Sequence, residues 1–273
     1  MSYAVLDSQV LYNTSAAWLD LSRGLANWRL WGRLGWQEIK RRYRRTVIGP
    51  FWTSISLAVL VLTLGSLGAG LWGEAANQYL PYLCSGLLVW LMIATMLIEG
   101  CNTYVTADAV IKQLRFDYSV LIFALVWRNL VVFGHNFTIF LLIAIFTGVS
   151  VNLNTLLVFP GMALLILNAV WVVALLGLLS LRFRDVQQVV ATLVQIAMFV
   201  TPIFWPTARL EGARVMFIEF NPLYHWIIVV RSPLLGEVAP TNSYIAMALM
   251  IVCGWTITFL LYSRFRSRIA YWG

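Results

Sequence analysis

Charge is what this sequence has least of. Only 11% of its 273 residues are Asp, Glu, Lys or Arg, and 61% are hydrophobic. An ordinary soluble domain carries about 25% charged residues, so a soluble globular protein is excluded and a bilayer-embedded chain is indicated. Histidine and cysteine are scarce too, with two and three copies. Cys84, Cys101 and Cys253 lie in or beside apolar runs without metal-ligand spacing, and are expected to be small buried hydrophobes. His135, beside Asn136, and His225, between Tyr224 and Trp226, are expected to be structural. There is no GxxxxGK[ST] loop to cradle a nucleotide. No apolar run carries a central acid or base of the kind that ion-coupled transporters and proton relays need. No carboxylate pair suited to a metal diphosphate occurs. No metal, catalytic set or cofactor is therefore expected in this chain, and if it transports, its energy comes from a partner. The N-terminus has neither a basic n-region nor an apolar h-region, so no cleaved signal peptide is expected.

What the sequence does have is long uncharged runs, each near the roughly 20 residues needed to cross about 30 Å of hydrocarbon as a helix. They are Phe51–Trp72, Tyr79–Ile98, 129–147, 155–181, Val186–Trp205 and Ser243–Ser263. TGVSVNLN (Thr147–Asn154) breaks the uncharged stretch between Arg128 and Arg182. Strands of a barrel would instead alternate in pieces of about ten residues. The expected fold is all-α with six spans. With six crossings, sixteen Lys and Arg fall on one side and only Arg209, Arg214 and Arg231 on the other. The positive-inside rule then puts both termini in the cytoplasm. The net charge of +8 thus marks a cytoplasmic face and not a nucleic-acid surface. The chain reads as one transmembrane domain: a cytoplasmic and interfacial segment 1–50, a membrane region 51–263 with an outer loop 206–242, and a cytoplasmic tail 264–273.

Before the first span, Trp18, Leu21, Leu25 and Trp28 recur at three- and four-residue steps, with Arg23 and Arg29 off the stripe. Such a helix lies in the membrane surface or packs as an ordinary amphipathic helix on protein. Trp31, Leu34 and Ile39 continue the apolar theme, which Gly32 and Gly35 interrupt. Then KRRYRRTVIGPFW (40–52) sets five positive charges against an uncharged run. These charges anchor the first span at the cytoplasmic face and can meet anionic lipid headgroups. The outer loop carries VMFIEFNPLYHWIIVV, too short and broken to span, which fits two short helices dipping into the outer leaflet and meeting at Asn221-Pro222. Aromatics make up 14% of residues. Those at span ends are interface anchors, and those inside spans could offer flat faces to sugar rings.

Three stretches together resemble one family, the type-two ABC permeases that export polysaccharide. RRYRRTVIGPFW resembles its motif before span one. RFRDVQQVVATLVQIAMFVTPIFWP resembles its fifth segment, and NPLYHWIIVVRSPLLGE its outer-loop signature. The similarity covers nearly the whole chain and is nearest to O-antigen (Wzm-like) permeases, with capsule and teichoic-acid permeases as relatives. Asp117 departs from it, standing where relatives often have proline. The resemblance implies a homodimeric channel in the bacterial inner membrane, bound to two copies of an ATP-binding subunit that holds the ATP and Mg. The cargo would be lipid-linked polysaccharide. It implies that Arg41, Arg42, Arg44 and Arg45 receive a diphosphate headgroup. Trp52, Trp90, Phe199 and Phe204 would be channel aromatics, and Asn221, Pro222, Tyr224, His225 and Arg231 an outer gate. Thr103–Phe116, with Asp108, Lys112 and Arg115, would couple to the ATPase. Two other readings stay open: a type-two permease for a drug or lipid, and a membrane glycosyl- or acyltransferase. The long broken outer loop speaks against the first, and the missing carboxylate pairs against the second.

Overall fold

Backbone inside hydrocarbon must satisfy its own hydrogen bonds, which a helix does within one segment. The computed structural model describes residues 13–44, 46–49, 51–114, 116–207 and 217–272, and among these all regular structure is helical. Two short helices come first, α1 (Thr14–Ala26) and α2 (Trp28–Tyr43). Then follow α3 (Phe51–Trp72), α4 (Ala76–Cys101), a short α5 (Asp108–Gln113) and α6 (Ser119–Thr147). A 3-10 turn (Leu153–Leu157) leads into α7 (Val158–Arg182), followed by α8 (Asp185–Val200). The chain ends with α9 (Pro222–Leu234), α10 (Thr241–Phe265) and α11 (Ile269–Trp272).

Among the described residues, five helical segments are long and apolar enough to cross a membrane: Phe51–Trp72, Ala76–Cys101, Ser119–Thr147, Leu153–Arg182 and Thr241–Trp272. The fifth expected span is shorter than its sequence run. Helix α8 has 16 residues, about 24 Å at 1.5 Å per residue. It stops at Thr201, whose extended backbone (ψ 137°) is what a residue before proline prefers. In contrast, α6 starts at Ser119, ten residues before the expected boundary, because Arg128 lies inside the helix with its charge paired.

The N-terminal segment also differs from expectation. The Trp18–Trp28 stripe is split at Asn27 into two helices, and the second runs on through Gly32 and Gly35. A Cβ at Gly35 would lie 2.8 Å from the Ala124 carbonyl of α6, so the small residue lets α2 pack against α6. Helix α1 seats Ala17, Asp20 and Gly24 on the protein, while Trp18, Leu25 and Trp28 stay exposed. The segment therefore has a small-residue protein face and an unpaired apolar face.

The core is centred on α4, which packs against α3, α6, α7, α8 and α9. Leu83, Leu87, Ile93 and Met96 are almost wholly covered. Lipid tails are as apolar as leucine, so close approach and polar contacts, not burial from water, hold membrane helices together. Gly161 illustrates the approach: a Cβ there would collide with the Val229 carbonyl of α9. Asn168 supplies polar contact, with its Nδ2 donating to the Met247 carbonyl of α10 at 3.3 Å and its Oδ1 accepting from Trp171 Nε1 at 3.0 Å. Helix α6 ends on Gly148 in the left-handed region (φ 72°), a conformation glycine adopts without penalty. This is the expected break near Thr147–Asn154. Cys84 and Cys101 are buried as expected, but Cys253 is exposed on α10.

Candidate functional site

The C-terminal ends of α2 and α4 and the first half of α6 meet in a four-residue charge cluster. Helix α2 places Glu38 and Arg42 one turn apart on one face, α4 contributes Glu99, and α6 contributes Arg128. Arg128 donates to both Glu38 and Glu99, and Arg42 donates to Glu99 at 2.5 Å. Two cations thus face two anions, and formal charge cancels. The cluster forms the wall between two cavities. The larger, about 800 Å³, lies between α2, the α4–α6 connection and the start of α6, and is lined by both glutamates and by Arg41, Arg42 and Arg128. The smaller, about 280 Å³, lies between α3, α4 and α6, and Arg42 and Arg128 reach it as well.

A second polar group, built on Asp20, sits where α1, α6 and α10 meet. Asp20 is 1% exposed. Its carboxylate accepts from the Tyr118 and Ser119 backbone amides at 3.2 and 3.0 Å, from Tyr262 Oη at 3.0 Å and from Arg266 Nε at 2.6 Å. A carboxylate at the start of α6 also meets the positive end of the helix dipole. Tyr104, fully covered in the turn after α4, adjoins this group, and burial pushes its phenol up. Burial, and then the neighbouring Asp20, pushes the Asp117 carboxyl up.

At the opposite end, α9 and the tip of α4 hold the residues after α8. Asn221 caps α9 by accepting from Leu223 N at 3.0 Å, and its Nδ2 donates to Thr201 Oγ1 at 2.9 Å. Tyr79 Oη donates to the Phe204 carbonyl at 2.6 Å and Tyr82 Oη to the Trp205 carbonyl at 2.9 Å. Arg231 is 2% exposed and lies over the Tyr82 ring at 4.4 Å. His225, also buried, bonds through Nδ1 to Ser243 Oγ at 3.0 Å and through Nε2 to the Glu219 carbonyl at 2.7 Å. Its role in these contacts is structural. His135 likewise bonds within its own helix, to the Val131 carbonyl at 2.7 Å. Pro222 opens α9 at its first turn, and Tyr224 packs edge-on to His225. The five expected gate residues thus share one helix and its cap. Of the first expected outer helix, residues 217–220 fall among the described ones, and 217–219 are helical.

The other expected site residues disperse. Arg41 lines the larger cavity, Arg42 is tied to Glu99, and Arg44 is exposed. Arg45 and Arg115 lie outside the described residues. Asp108 and Lys112 pair with each other at 2.9 Å across one turn of α5. Trp52 and Phe199 are exposed, and Phe204 is half-buried beside Phe199 with ring centroids 6.1 Å apart. Trp90 is not a channel aromatic in this fold. It is 2% exposed and packed inside the core of its own chain.

Sequence reasoning missed two further features. Helix α3 exposes Trp52, Ser56, Thr63 and Ser66, and α8 exposes Gln188, Thr192, Gln195 and Phe199. Both sets advance by three, four or seven residues, so each lies on one helical face. The Thr192 hydroxyl bonds back to the Gln188 carbonyl at 3.0 Å. The signal was available as a polar residue recurring at helical period inside an apolar run. The second feature is the Glu38 and Asp20 carboxylates, whose spacing in sequence says nothing about distant arginines.

A family model described as ABC-2 type transporter matches residues 29–235, from α2 through α9. The O-antigen export system permease protein RfbA of Myxococcus xanthus is 25% identical over 190 residues, covering 68% of this chain and 73% of that protein. With more than half its length matched by the family model and five membrane-length helices in its fold, the chain belongs to the ABC-2 type transporter membrane family, as a multi-pass permease.

Proposed function

We propose that the chain is the channel-forming subunit of an exporter that moves lipid-linked polysaccharide outward across the bacterial inner membrane. The observation that carries this reading is the pair of exposed polar stripes on α3 and α8. Leaving side-chain amides such as Gln188 and Gln195 in hydrocarbon costs free energy, and irregular or polar surface at membrane depth belongs against protein or in a wet passage. Two copies of the chain with these faces turned inward would enclose a passage lined by hydroxyls and amides. Trp52 would stand toward its inner end and Phe199 toward its outer end. Such a wall suits a sugar polymer better than a drug or a lipid. The name of the Myxococcus relative points the same way.

In this reading α8 and the turn after it complete a sixth crossing, and both termini are cytoplasmic. The exposed Trp18–Leu25–Trp28 face of α1 and α2 rests in the inner-leaflet interface, beside membrane lipids. Arg41, Arg42, Arg44 and Arg45 meet the diphosphate headgroup there. Thr103–Phe116 docks on an ATP-binding subunit, present in two copies, which holds ATP and Mg. The large cavity between α2 and α5 supplies the concave side of that contact. Helix α9 and its cap act as the outer gate through their hold on residues 201–205. The test is export itself. Cells lacking the chain should accumulate the lipid-linked glycan on the inner face. Restoring the chain together with its ATP-binding partner should return glycan to the surface, and restoring either alone should not. Normal surface glycan without the chain would reject the reading.

A further inference from the structure

The smaller cavity has a composition that the passage reading alone does not explain. Its walls carry Trp52, Thr53, Ser56, Thr95 and Asn129, with leucines, Met92 and Phe133 behind them. Its volume, about 280 Å³, lies at the lower edge of the range of roughly 300–1,000 Å³ seen for small-ligand sites. The Thr95 hydroxyl donates to the Leu91 carbonyl at 2.7 Å, and Asn129 Nδ2 donates to the Leu125 carbonyl at 3.0 Å. The Thr95 bond uses that hydroxyl's one donor, Asn129 keeps a second N–H, and both side chains keep oxygen lone pairs. Hydroxyl groups of a ligand would find acceptors there, and a flat indole edge at Trp52. The cavity also adjoins the inner end of the α3 polar stripe, since Trp52 and Ser56 belong to both.

Its electrostatics narrow the ligand further. Among the described residues, the charged groups that reach it are Arg42 and Arg128. Both are held from the far side of the wall by Glu99, and Arg128 by Glu38 as well. The cavity therefore presents hydrogen-bonding groups without net charge. A carboxylate or phosphate entering it would be stripped of water and would have to compete with two fixed glutamates for the same guanidinium groups.

We propose that this cavity is a subsite for one uncharged sugar unit of the exported chain, and that it makes the permease select neutral over acidic glycans. The proposal rests on the polysaccharide reading above. A hydroxyl of the sugar donates to Asn129 Oδ1 or Thr95 Oγ1, and the ring lies along Trp52. Acidic units are disfavoured because Glu38 and Glu99 already neutralise the two arginines.

The experiment uses the complete transporter, permease with its ATP-binding partner, in proteoliposomes. Two lipid-linked glycans of equal length are offered, one with a neutral repeat and one with a single hexuronic acid per repeat. Export of each is measured per transporter. The neutral chain is expected to be exported about tenfold better, the size of effect that roughly 1.4 kcal/mol of discrimination produces. Ser56→Val and Thr95→Val each remove a hydroxyl, Thr95→Val with little change in side-chain volume, and should lower export of the neutral chain several-fold while leaving protein level unchanged. Glu99→Gln leaves the arginines in charge excess and should shift the preference toward the uronate chain. Where Glu99→Gln lowers protein level, the two valine variants and the wild-type preference still decide. Equal or better export of the uronate chain by the wild type, or valine variants that export normally, would overturn the subsite. Export of neither glycan would reject the polysaccharide reading itself, and the subsite with it.

Discussion

Two polar groups fasten the N-terminal helices to the membrane helices, and they do it differently. The Asp20 group joins α1 to α6 and α10 with a single carboxylate that is 1% exposed and accepts from four donors. The Glu38–Arg42–Glu99–Arg128 group joins α2 to α4 and α6 with four charges, lies against two cavities and leaves the Arg42 side chain 48% exposed. The first is a closed joint in which every lone pair has a fixed partner. The second is open to water but redundantly paired, so no single contact carries it: Glu99 serves two arginines and Arg128 serves two glutamates. Position follows from this. The closed joint sits at the start of α6, where the chain must be held. The open one sits beside α5, where the proposed ATP-binding partner would push, and beside the cavity proposed for sugar.

Removing Asp20 should separate the two groups most sharply. Asp20→Ala leaves the Arg266 guanidinium and two backbone amides without their acceptor. Breaking a buried pair in this way costs about 3–5 kcal/mol, enough to deplete folded permease from the membrane. Thermal unfolding in detergent and membrane abundance both report it. Asp20→Asn should be intermediate, because shape is kept while the charge is lost.

Arg42→Gln tests the other group and should cost far less, about 0–1 kcal/mol, as expected for an exposed ion pair. Raising salt should weaken this group and hardly touch the Asp20 joint, since exposed charges are screened over about 10 Å at 0.1 M and buried pairs much less. Equal losses of stability in Arg42→Gln and Asp20→Ala would erase the distinction drawn above.

The smallest effect concerns Asp117, beside Asp20. Its carboxyl is pushed up in the fold by burial and then by the Asp20 charge. A raised folded-state pKa means that the folded chain holds the proton more tightly than the unfolded chain does. Ionised Asp117 therefore penalises the fold above its folded-state pKa, and the penalty fades as pH falls toward the ordinary aspartate value of about 3.9. Asp117→Asn should raise the unfolding temperature slightly at pH 7 and lose that advantage near pH 4. A variant less stable than the parent at pH 7 would mean that the charge is favourable where it stands.

Much of this fold was legible in the sequence because one variable, hydropathy over about 20 residues, fixes membrane helices. The runs at Phe51–Trp72 and 155–181 differ from the observed α3 and α7 by three residues at most. The errors arose where a local rule met a distant partner. Arg128 looked like the edge of a span because a lone arginine does not belong in one, and it lies within α6 because Glu38 and Glu99 arrive from elsewhere. Trp90 looked like a passage aromatic, but nothing local distinguishes a tryptophan facing its own core from one facing a channel. Gly35 interrupted the apolar pattern in sequence, and in the fold it marks a close approach to Ala124 that no local rule gives. The Asn221–Arg231 stretch was legible as a motif; its attachment to Thr201, Tyr79 and Tyr82 was not.

A passage along α3 and α8 requires that their polar faces meet water while other exposed faces meet lipid. Single cysteines can decide it, in a background with Cys84, Cys101 and Cys253 replaced by alanine or serine. A thiol reacts with a maleimide as the thiolate, which forms in water and not in hydrocarbon. Cysteines at Thr63, Gln188 and Gln195 should react with a small polar maleimide in the assembled transporter, and transported glycan should slow that reaction. Cysteines at Leu249 and Ile257, exposed on α10, should stay unreactive. Uniformly unreactive positions on α3 and α8, with α10 no different, would contradict a wet passage along those two helices.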